Sequence, residues 1–167
     1  MLTKTCLIDS NIWFFAYTAP KSNEYAEIHK KSSQFLESIL LDNTVIIGIS
    51  YYQIAEIMDL LRKRNLSKEL RDKIFQSFKR EKFHIVPLNM NHLEISFNKS
   101  IASDIHIYDY LVALPLKNIV TEIYSADDHF QHPDFKEIAP VTNPLHPWIL
   151  REGKIPVKAP LCQPQIQ

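Results

Sequence analysis

The stretch "KTCLID", residues 4–9, is a short apolar run that ends in an acid. A second apolar run, "TVIIGIS" at residues 44–50, is rich in β-branched residues and ends in a serine. Both are typical of strands that are buried on both faces of a sheet. Residues 23–41, which lie between them, carry apolar side chains at helical spacing. Because a helix is the usual connection between neighbouring parallel strands, this part of the chain predicts an α/β fold.

The same alternation continues along the chain. Ser50 and Gln53 form a potential capping box at the start of a helix that follows the second strand. Further helices are predicted at residues 50–64, 67–82, 91–102 and 106–118, and further strands at 83–88, 119–127 and 136–141. Pro115 should interrupt the last of these helices. The pattern therefore predicts a three-layer α/β/α sandwich with a mostly parallel sheet of four or five strands.

Charge and composition limit the classes of function. Lysine plus arginine and aspartate plus glutamate each count 19, so the formal net charge is +0 and no overall field attracts polyanions. Residues 62–82 are an exception, with nine basic residues against three acids, a net charge of +6. This basic segment is compatible both with contacts to RNA phosphates and with an ordinary solvated pair of helices.

The chain ends in a segment of different character. Five of the ten prolines fall within residues 142–167, which predicts a domain at residues 1–141 and a proline-rich tail at 142–167 that is either inert or wraps onto a neighbouring subunit. The two cysteines have no metal-site spacing and no disulfide is expected. A signal peptide and a run of about 18 apolar residues are both lacking, which predicts a cytoplasmic protein with no membrane contact.

Four acids are placed where a site is expected. Asp9 and Asp127 end the first and fourth predicted strands, and carboxyl ends of parallel strands meet at one edge of the sheet. Glu56 lies near that edge on the helix after the second strand, although a lone helix glutamate is more often simply solvated. Asp109 shares a helix face with apolar residues, and an unpartnered buried carboxylate costs on the order of several kcal/mol.

A divalent cation is the partner that this sequence suggests for the acids. The segments predicted at this edge contain no lysine or arginine. Carboxylates together with serine and asparagine oxygens suit Mg²⁺ or Mn²⁺ better than Zn²⁺. A cation held by acids binds phosphate oxygens and activates water, which is the chemistry of metal-dependent nucleases.

Four motifs resemble, in order and separation, those of the PIN-domain ribonucleases, especially VapC-type toxins and related archaeal proteins. They are "LIDSNI" (7–12), "QIAEI" (53–57), "IYDYLVA" (107–113) and "YSADDHF" (124–130). The resemblance implies a PIN-like fold and Mg²⁺- or Mn²⁺-dependent endoribonuclease activity. It also implies RNA as substrate, and for a toxin an antitoxin partner. A homodimer is expected from the long apolar helices and the tail.

The resemblance also implies roles for individual residues. Asn11 and Ser125 match polar positions that orient a carboxylate or contact phosphate. His129 stands where the family often has a second, less essential aspartate. His129 and His132 could bind phosphate or metal, although loop histidines are usually just solvated. The catalytic and metal-binding positions match Asp9, Glu56, Asp109 and Asp127.

The adjacent acids Asp127 and Asp128 are expected to differ in role. The strand should direct Asp127 to the carboxyl edge, while Asp128 turns into the loop, where its carboxylate could cap backbone N–H groups. Ser125 should donate a hydrogen bond that orients a carboxylate of the site, and Phe130 should pack back onto the sheet.

Two other functions are compatible with parts of the sequence. A phosphatase of the haloacid dehalogenase type also places an acid after its first strand, but it needs Asp-x-Asp there and this chain has Asn11 as the third residue. A PIN-like binding or scaffold module in an RNA-processing or toxin–antitoxin assembly would bind without cleaving. Retention of all four acids argues against it, and metal-dependent RNA cleavage distinguishes the two.

Overall fold

A computed structural model describes residues 4–149 of the chain. Its core is a five-stranded sheet with the order β3-β2-β1-β4-β5, and every neighbouring pair of strands is parallel. The strands are β1 (Lys4–Ile8), β2 (Val45–Ser50), β3 (Phe83–Val86), β4 (Glu122–Tyr124) and β5 (Val141–Thr142). The chain moves outward from β1 to β2 and β3, and then returns to the other side of β1. The strand order therefore reverses between β1 and β4, where parallel sheets commonly form a binding crevice.

Helices cover both faces of this sheet. They are α1 (Ser10–Tyr17), α2 (Asn23–Leu41), α3 (Tyr51–Lys63), α4 (Lys68–Ser77), α5 (Met90–Ser103), α6 (Ile107–Ala113) and α7 (Pro133–Lys136). One apolar cluster contains Cys6 and Ile8 with residues of α1 to α4, and the other contains Leu7 with residues of α6 and α7. Because adjacent residues of a strand point to opposite faces, the two clusters lie on opposite sides of the sheet. The predicted three-layer α/β/α sandwich is confirmed.

Local sequence signals account for most helix ends. The Ser50 side chain accepts a hydrogen bond from the Gln53 N–H and so caps α3, and Ser67 caps α4 in the same way. The helix predicted to reach residue 118 ends at Ala113, and Leu114–Leu116 form a 3₁₀ turn that contains Pro115. The missing N–H of proline explains this change of geometry.

Two predicted strands are shorter than expected. The strand predicted at residues 119–127 begins only at Glu122 because the N–H groups of Ile119 and Val120 bond back to Leu116 O, which keeps this segment in a turn. The fifth strand was predicted at residues 136–141. It is confined to Val141–Thr142, because α7 extends to Lys136 at the start of the predicted segment. Local turn hydrogen bonds and the end of α7 thus decide where these two strands begin, because short apolar runs leave this ambiguous.

The chain stays packed beyond the predicted domain boundary at residue 141, which falls at the start of β5. Leu145 is fully buried and Ile149 is 5% exposed, and both belong to the apolar cluster around Ile8. The Ile149 N–H donates to Ala126 O, which ties this end of the chain to the loop after β4. Most of the predicted proline-rich tail, residues 150–167, lies outside the described residues. Among the residues that are described, no helix has the length and apolar character needed to cross a bilayer.

Candidate metal centre

Asp9 lies at the centre of the crevice, directly after β1. Its backbone N–H donates to Tyr124 O, which joins the carboxyl ends of β1 and β4. Its side chain is the N-cap of α1, with Oδ1 accepting from the Ser10 N–H at 2.7 Å. Oδ2 accepts a hydrogen bond from Ser125 Oγ, also at 2.7 Å. Asp9 is only 6% exposed, so the end of the strand and the start of the helix together hold a buried carboxylate in one orientation.

Glu56 reaches the same crevice from α3. Its Oε2 accepts a hydrogen bond from Ser10 Oγ at 2.5 Å, and its Oε1 accepts one from the Tyr52 hydroxyl at 3.3 Å. Ser10 thus links the helix that carries Glu56 to the residue that follows Asp9. Burial raises the pKa of Glu56, and the charge of Asp109 raises it further. Glu56 is therefore not the solvated helix glutamate that a lone glutamate would suggest.

Asp109, Asp127 and His129 form the other side of the crevice. His129 Nδ1 donates to Asp109 Oδ2 at 2.8 Å and lies 3.6 Å from Asp127 Oδ1. One potential ligand atom from each of the three residues lies within 4.8 Å of those of the other two, a separation that one metal ion can span. The hydrogen bond that His129 donates to Asp109 raises the pKa of His129.

Asp127, and not Asp128, caps the turn after β4. Asp127 has an extended backbone conformation, and its Oδ1 accepts the His129 N–H at 2.9 Å. The prediction that Asp128 provides this cap is wrong. Because β4 ends at Tyr124 and Asp128 is the first residue of the turn Asp128–Gln131, the N-cap position falls to Asp127. Asp128 Oδ1 is buried and has no hydrogen-bond partner among the described residues. Phe130 is fully buried, as predicted.

The two polar positions named in the sequence differ in their surroundings. Ser125 is fully buried, and its Oγ donates to Asp9 and accepts the Asp127 N–H at 3.0 Å, so it connects two of the acids. Asn11 Oδ1 is buried and has no hydrogen-bond partner among residues 4–149. A buried amide oxygen without a donor is costly in the absence of a further ligand.

The four carboxylates interact electrostatically. Burial raises the pKa of Asp9 well above its ordinary value, and the charges of the other three acids raise it further, against the hydrogen bond from Ser125. Burial also raises the pKa of Asp127 to about 6. Within residues 4–149, none of the four carboxylates forms an ion pair with lysine or arginine. The crevice therefore holds excess negative charge.

A divalent cation fits this crevice. The carboxylates supply hard oxygen ligands of the kind that Mg²⁺ and Mn²⁺ prefer. Asn11, two residues after Asp9, has a buried amide oxygen without a partner among the described residues. A bound cation would stabilise the ionised form of Asp9, whose pKa is raised by burial and by the charges of the other acids. Among the described residues, the group whose ligand atoms lie close enough together for one ion consists of Asp109, Asp127 and His129, so Asp9 and Glu56 lie outside it.

The sequence left two roles open for His129, binding of metal or phosphate and an ordinary solvated loop histidine. The structure contradicts the solvated role, because the residue is 8% exposed and its Nδ1 contacts Asp109. Two signals favoured a role in the centre. His129 occupies the position of an acid in the related motif, and Asp109 was expected to need a partner in segments without lysine or arginine.

No family model matches the chain, and no curated protein matches it in sequence. The crystal structure of Mycobacterium tuberculosis VapC20, described as a sarcin-ricin loop cleaving toxin, superimposes with a TM-score of 0.60 over 81% of this chain and 99% of that one, at 14% identity. The chain has a VapC-type PIN fold.

Two further PIN-type structures support this assignment of the fold. VapBC2 from Rickettsia felis, bound to a DNA fragment from its promoter, gives a TM-score of 0.50 at 15% identity, over 83% of this chain and 98% of that one. A toxin–antitoxin complex from Klebsiella pneumoniae gives 0.51 at 19% identity, over 83% and 97%. At these identities the likeness concerns the PIN fold, and the site rests on the geometry described above.

We predict that Ser125→Ala weakens metal binding about tenfold or more, because residues that orient ligands typically contribute 10- to 100-fold to affinity. The change removes the hydrogen bond to Asp9 and leaves the Asp127 N–H without its acceptor. Calorimetric titration with Mn²⁺ measures the effect. Ser96→Ala is the matched control, because Ser96 is also fully buried but its Oγ has no partner among the described residues. Equal affinities for the two variants would contradict the role of Ser125.

Proposed function

We propose that this protein is a metal-dependent endoribonuclease that hydrolyses RNA phosphodiester bonds, with Asp9, Glu56, Asp109 and Asp127 as its catalytic and metal-binding residues. The observation that carries the proposal is the convergence of these four acids at the crevice between β1 and β4 of a PIN fold, with no ion pair to lysine or arginine within residues 4–149. Mg²⁺ or Mn²⁺ is the proposed cofactor.

The chain's own residues have separate tasks in this mechanism. A bound cation would supply Lewis acidity at a phosphate oxygen and make water more acidic. Asp9, held by the Ser10 N–H and Ser125 Oγ, is a preoriented ligand that needs little reorganisation. Glu56 has a raised pKa and lies at the side of the crevice, which suits it to accept the proton of the attacking water. The bond from phosphorus to the leaving oxygen then breaks, and that oxygen takes a proton from solvent.

The proposed RNA contacts extend from the crevice to the basic segment, residues 62–82. This segment comprises the end of α3, all of α4 and the turn before β3. Some of its charges are already paired on the surface, as in the ion pairs of Arg62 with Asp59 and of Lys73 with Glu69. The remaining excess of positive charge would hold RNA phosphates, and RNA binding should then weaken as salt is added.

An antitoxin and a second copy of the chain are the proposed protein partners. Two of the structurally similar proteins are toxin–antitoxin assemblies, which supports an antitoxin for this chain. Support for a homodimer comes from α5, whose outer face exposes the large apolar side chains of Met90, Phe97 and Ile101. Light scattering of the purified protein would show twice the 19.5 kDa mass of one chain if the homodimer forms.

The proposed activity is tested by incubating the pure protein with a panel of single-stranded and structured RNAs. We expect cleavage with Mn²⁺ or Mg²⁺, no cleavage after chelation, and none with Asp9→Asn. Asp72→Asn, an acid of the basic segment, is the control for loss of a carboxylate elsewhere. RNA binding without cleavage under every metal condition would favour the scaffold function instead.

A further inference from the structure

One nitrogen atom lies among the oxygen ligands of the candidate centre. His129 Nδ1 is 2.8 Å from Asp109 Oδ2 and 3.6 Å from Asp127 Oδ1. The side chain is buried within the crevice, with 8% of the residue exposed. The same ring nitrogen is thus directed at two of the carboxylates that are proposed to hold the cation.

The backbone around His129 keeps the ring in this position. The backbone N–H of His129 donates to Asp127 Oδ1. The residue that caps the turn therefore lies only two positions before the residue that carries the imidazole. Phe130 is fully buried beside it, and the Asp128 N–H bonds to Ile149 O, which fastens the turn to the end of the described chain. The imidazole also lies near the ring of His106, the N-cap of α6, at 5.6 Å between centroids. The turn that carries His129 is therefore fixed by contacts to the rest of the fold.

We infer that His129 is a metal ligand through Nδ1, together with Asp109 and Asp127, and that the centre consequently prefers Mn²⁺ to Mg²⁺. Binding would replace the present hydrogen bond, since an imidazole nitrogen that ligates a metal carries no proton. Mg²⁺ strongly favours oxygen ligands. Divalent transition metals, of which Mn²⁺ is the first in the series of increasing affinity, bind imidazole nitrogen more readily. The inference rests on the proposed function only in requiring that the centre binds a divalent cation.

A purely electrostatic role for His129 predicts a different behaviour. As an imidazolium it would neutralise Asp109 and Asp127 without touching the metal, and it would have to move away when the cation binds. The two roles differ in whether nitrogen is bonded to the cation. They also differ in the effect of replacing the His129 nitrogen by a carboxylate oxygen. Only the ligand role predicts that this change lowers the preference of the centre for Mn²⁺ over Mg²⁺.

Pulsed electron paramagnetic resonance of bound Mn²⁺ tests the inference directly. We expect the full-length protein with one equivalent of Mn²⁺ to show modulation from a coordinated ¹⁴N nucleus, and protein labelled with ¹⁵N-histidine to show the ¹⁵N pattern instead. This comparison needs no substitution, so it remains decisive if variants of the buried histidine fold poorly. Absence of nitrogen coupling while Mn²⁺ is bound, or failure of the centre to bind Mn²⁺ at all, would overturn the inference.

Variants then assign the signal to one residue. His129→Ala should lose the nitrogen coupling, whereas His106→Ala, which removes the neighbouring imidazole, should keep it. His129→Asp substitutes an oxygen ligand, and we expect the ratio of Mn²⁺ to Mg²⁺ affinity, measured by calorimetry, to fall about tenfold. An unchanged ratio and retained coupling in these variants would show that His129 is not a ligand.

The outcomes separate this inference from the proposed ribonuclease activity. Nitrogen coupling without RNA cleavage would support the ligand assignment and contradict the activity. Cleavage that is equally efficient with Mg²⁺ and Mn²⁺, in a protein without nitrogen coupling, would support the activity and overturn the ligand assignment.

Discussion

Asp127→Asn is expected to abolish metal-dependent RNA cleavage, by about a thousandfold or more, while the fold survives. The substitution removes one negative charge from a centre whose cation stabilises the transition state by several kcal/mol, and about 4 kcal/mol corresponds to a thousandfold in rate. The fold should persist because the asparagine oxygen can still accept the His129 N–H that Asp127 accepts now. Initial rates of cleavage of a single RNA substrate, with circular dichroism of the variant, measure both effects.

The matched control is the same chemical change one residue later. Asp128 lies outside the group formed by Asp109, Asp127 and His129, and its Oδ1 has no hydrogen-bond partner among the described residues. We therefore expect Asp128→Asn to retain most of the cleavage rate and to change the free energy of unfolding by about 1 kcal/mol or less. An inactive Asp128→Asn beside an active Asp127→Asn would show that the wrong acid has been assigned to the centre.

The metal-free protein is expected to lose stability as the pH rises from about 4 to about 7. Burial raises the pKa of Asp9, Glu56 and Asp127 in the folded protein, for Asp127 to about 6. These carboxyl groups ionise more readily in the unfolded chain, so the free energy of unfolding is greatest below their unfolded pKa values and falls as pH rises through the folded ones. His129 acts in the same direction, because its pKa is raised by Asp109 and its folded-state advantage is lost as it deprotonates.

The size of this effect follows from the exposure of the groups. For Asp127, whose side chain is 33% exposed, solvent screening reduces the contribution to about 1–2 kcal/mol. Thermal unfolding in the presence of a chelator, followed from pH 4 to pH 8, measures the trend. A melting temperature that rises steadily over this interval would contradict the raised pKa values.

Metal should reverse this loss at neutral pH. Mn²⁺ at about 100 times its dissociation constant adds about 2.7 kcal/mol, which for a domain of this size raises the melting temperature by about 5–10 °C. Asp9→Asn should make the metal-free protein more stable at pH 7 and should remove most of the response to metal. Asp134→Asn is the opposite control, because the carboxylate of Asp134 has a lowered pKa and pairs with Lys99, so its loss should destabilise the protein at pH 7.

The sequence by itself determined the layers of the fold and the end of β1 directly before Asp9. These features depend on local physics. Neighbouring side chains of a strand alternate between the faces of a sheet, a serine three residues before a free N–H caps a helix, and proline ends regular helical hydrogen bonding. The bounds of α2, Asn23–Leu41, agree with the range predicted from its apolar spacing for the same reason.

Tertiary structure alone decided which polar groups meet at the centre. Ser10 and Glu56 are 46 residues apart, Ser125 and Asp9 are 116 apart, and His129 reaches Asp109 across 20. Local patterns carry no information about the directions of such side chains, because those directions depend on how separate elements pack. The backbone angles after β4 likewise made Asp127 the cap and brought His129 into the crevice, while Ile149, beyond the predicted boundary at residue 141, packs against that loop. A change of one residue in the end of a strand reverses the face of every side chain that follows, so only the packed structure could assign these roles.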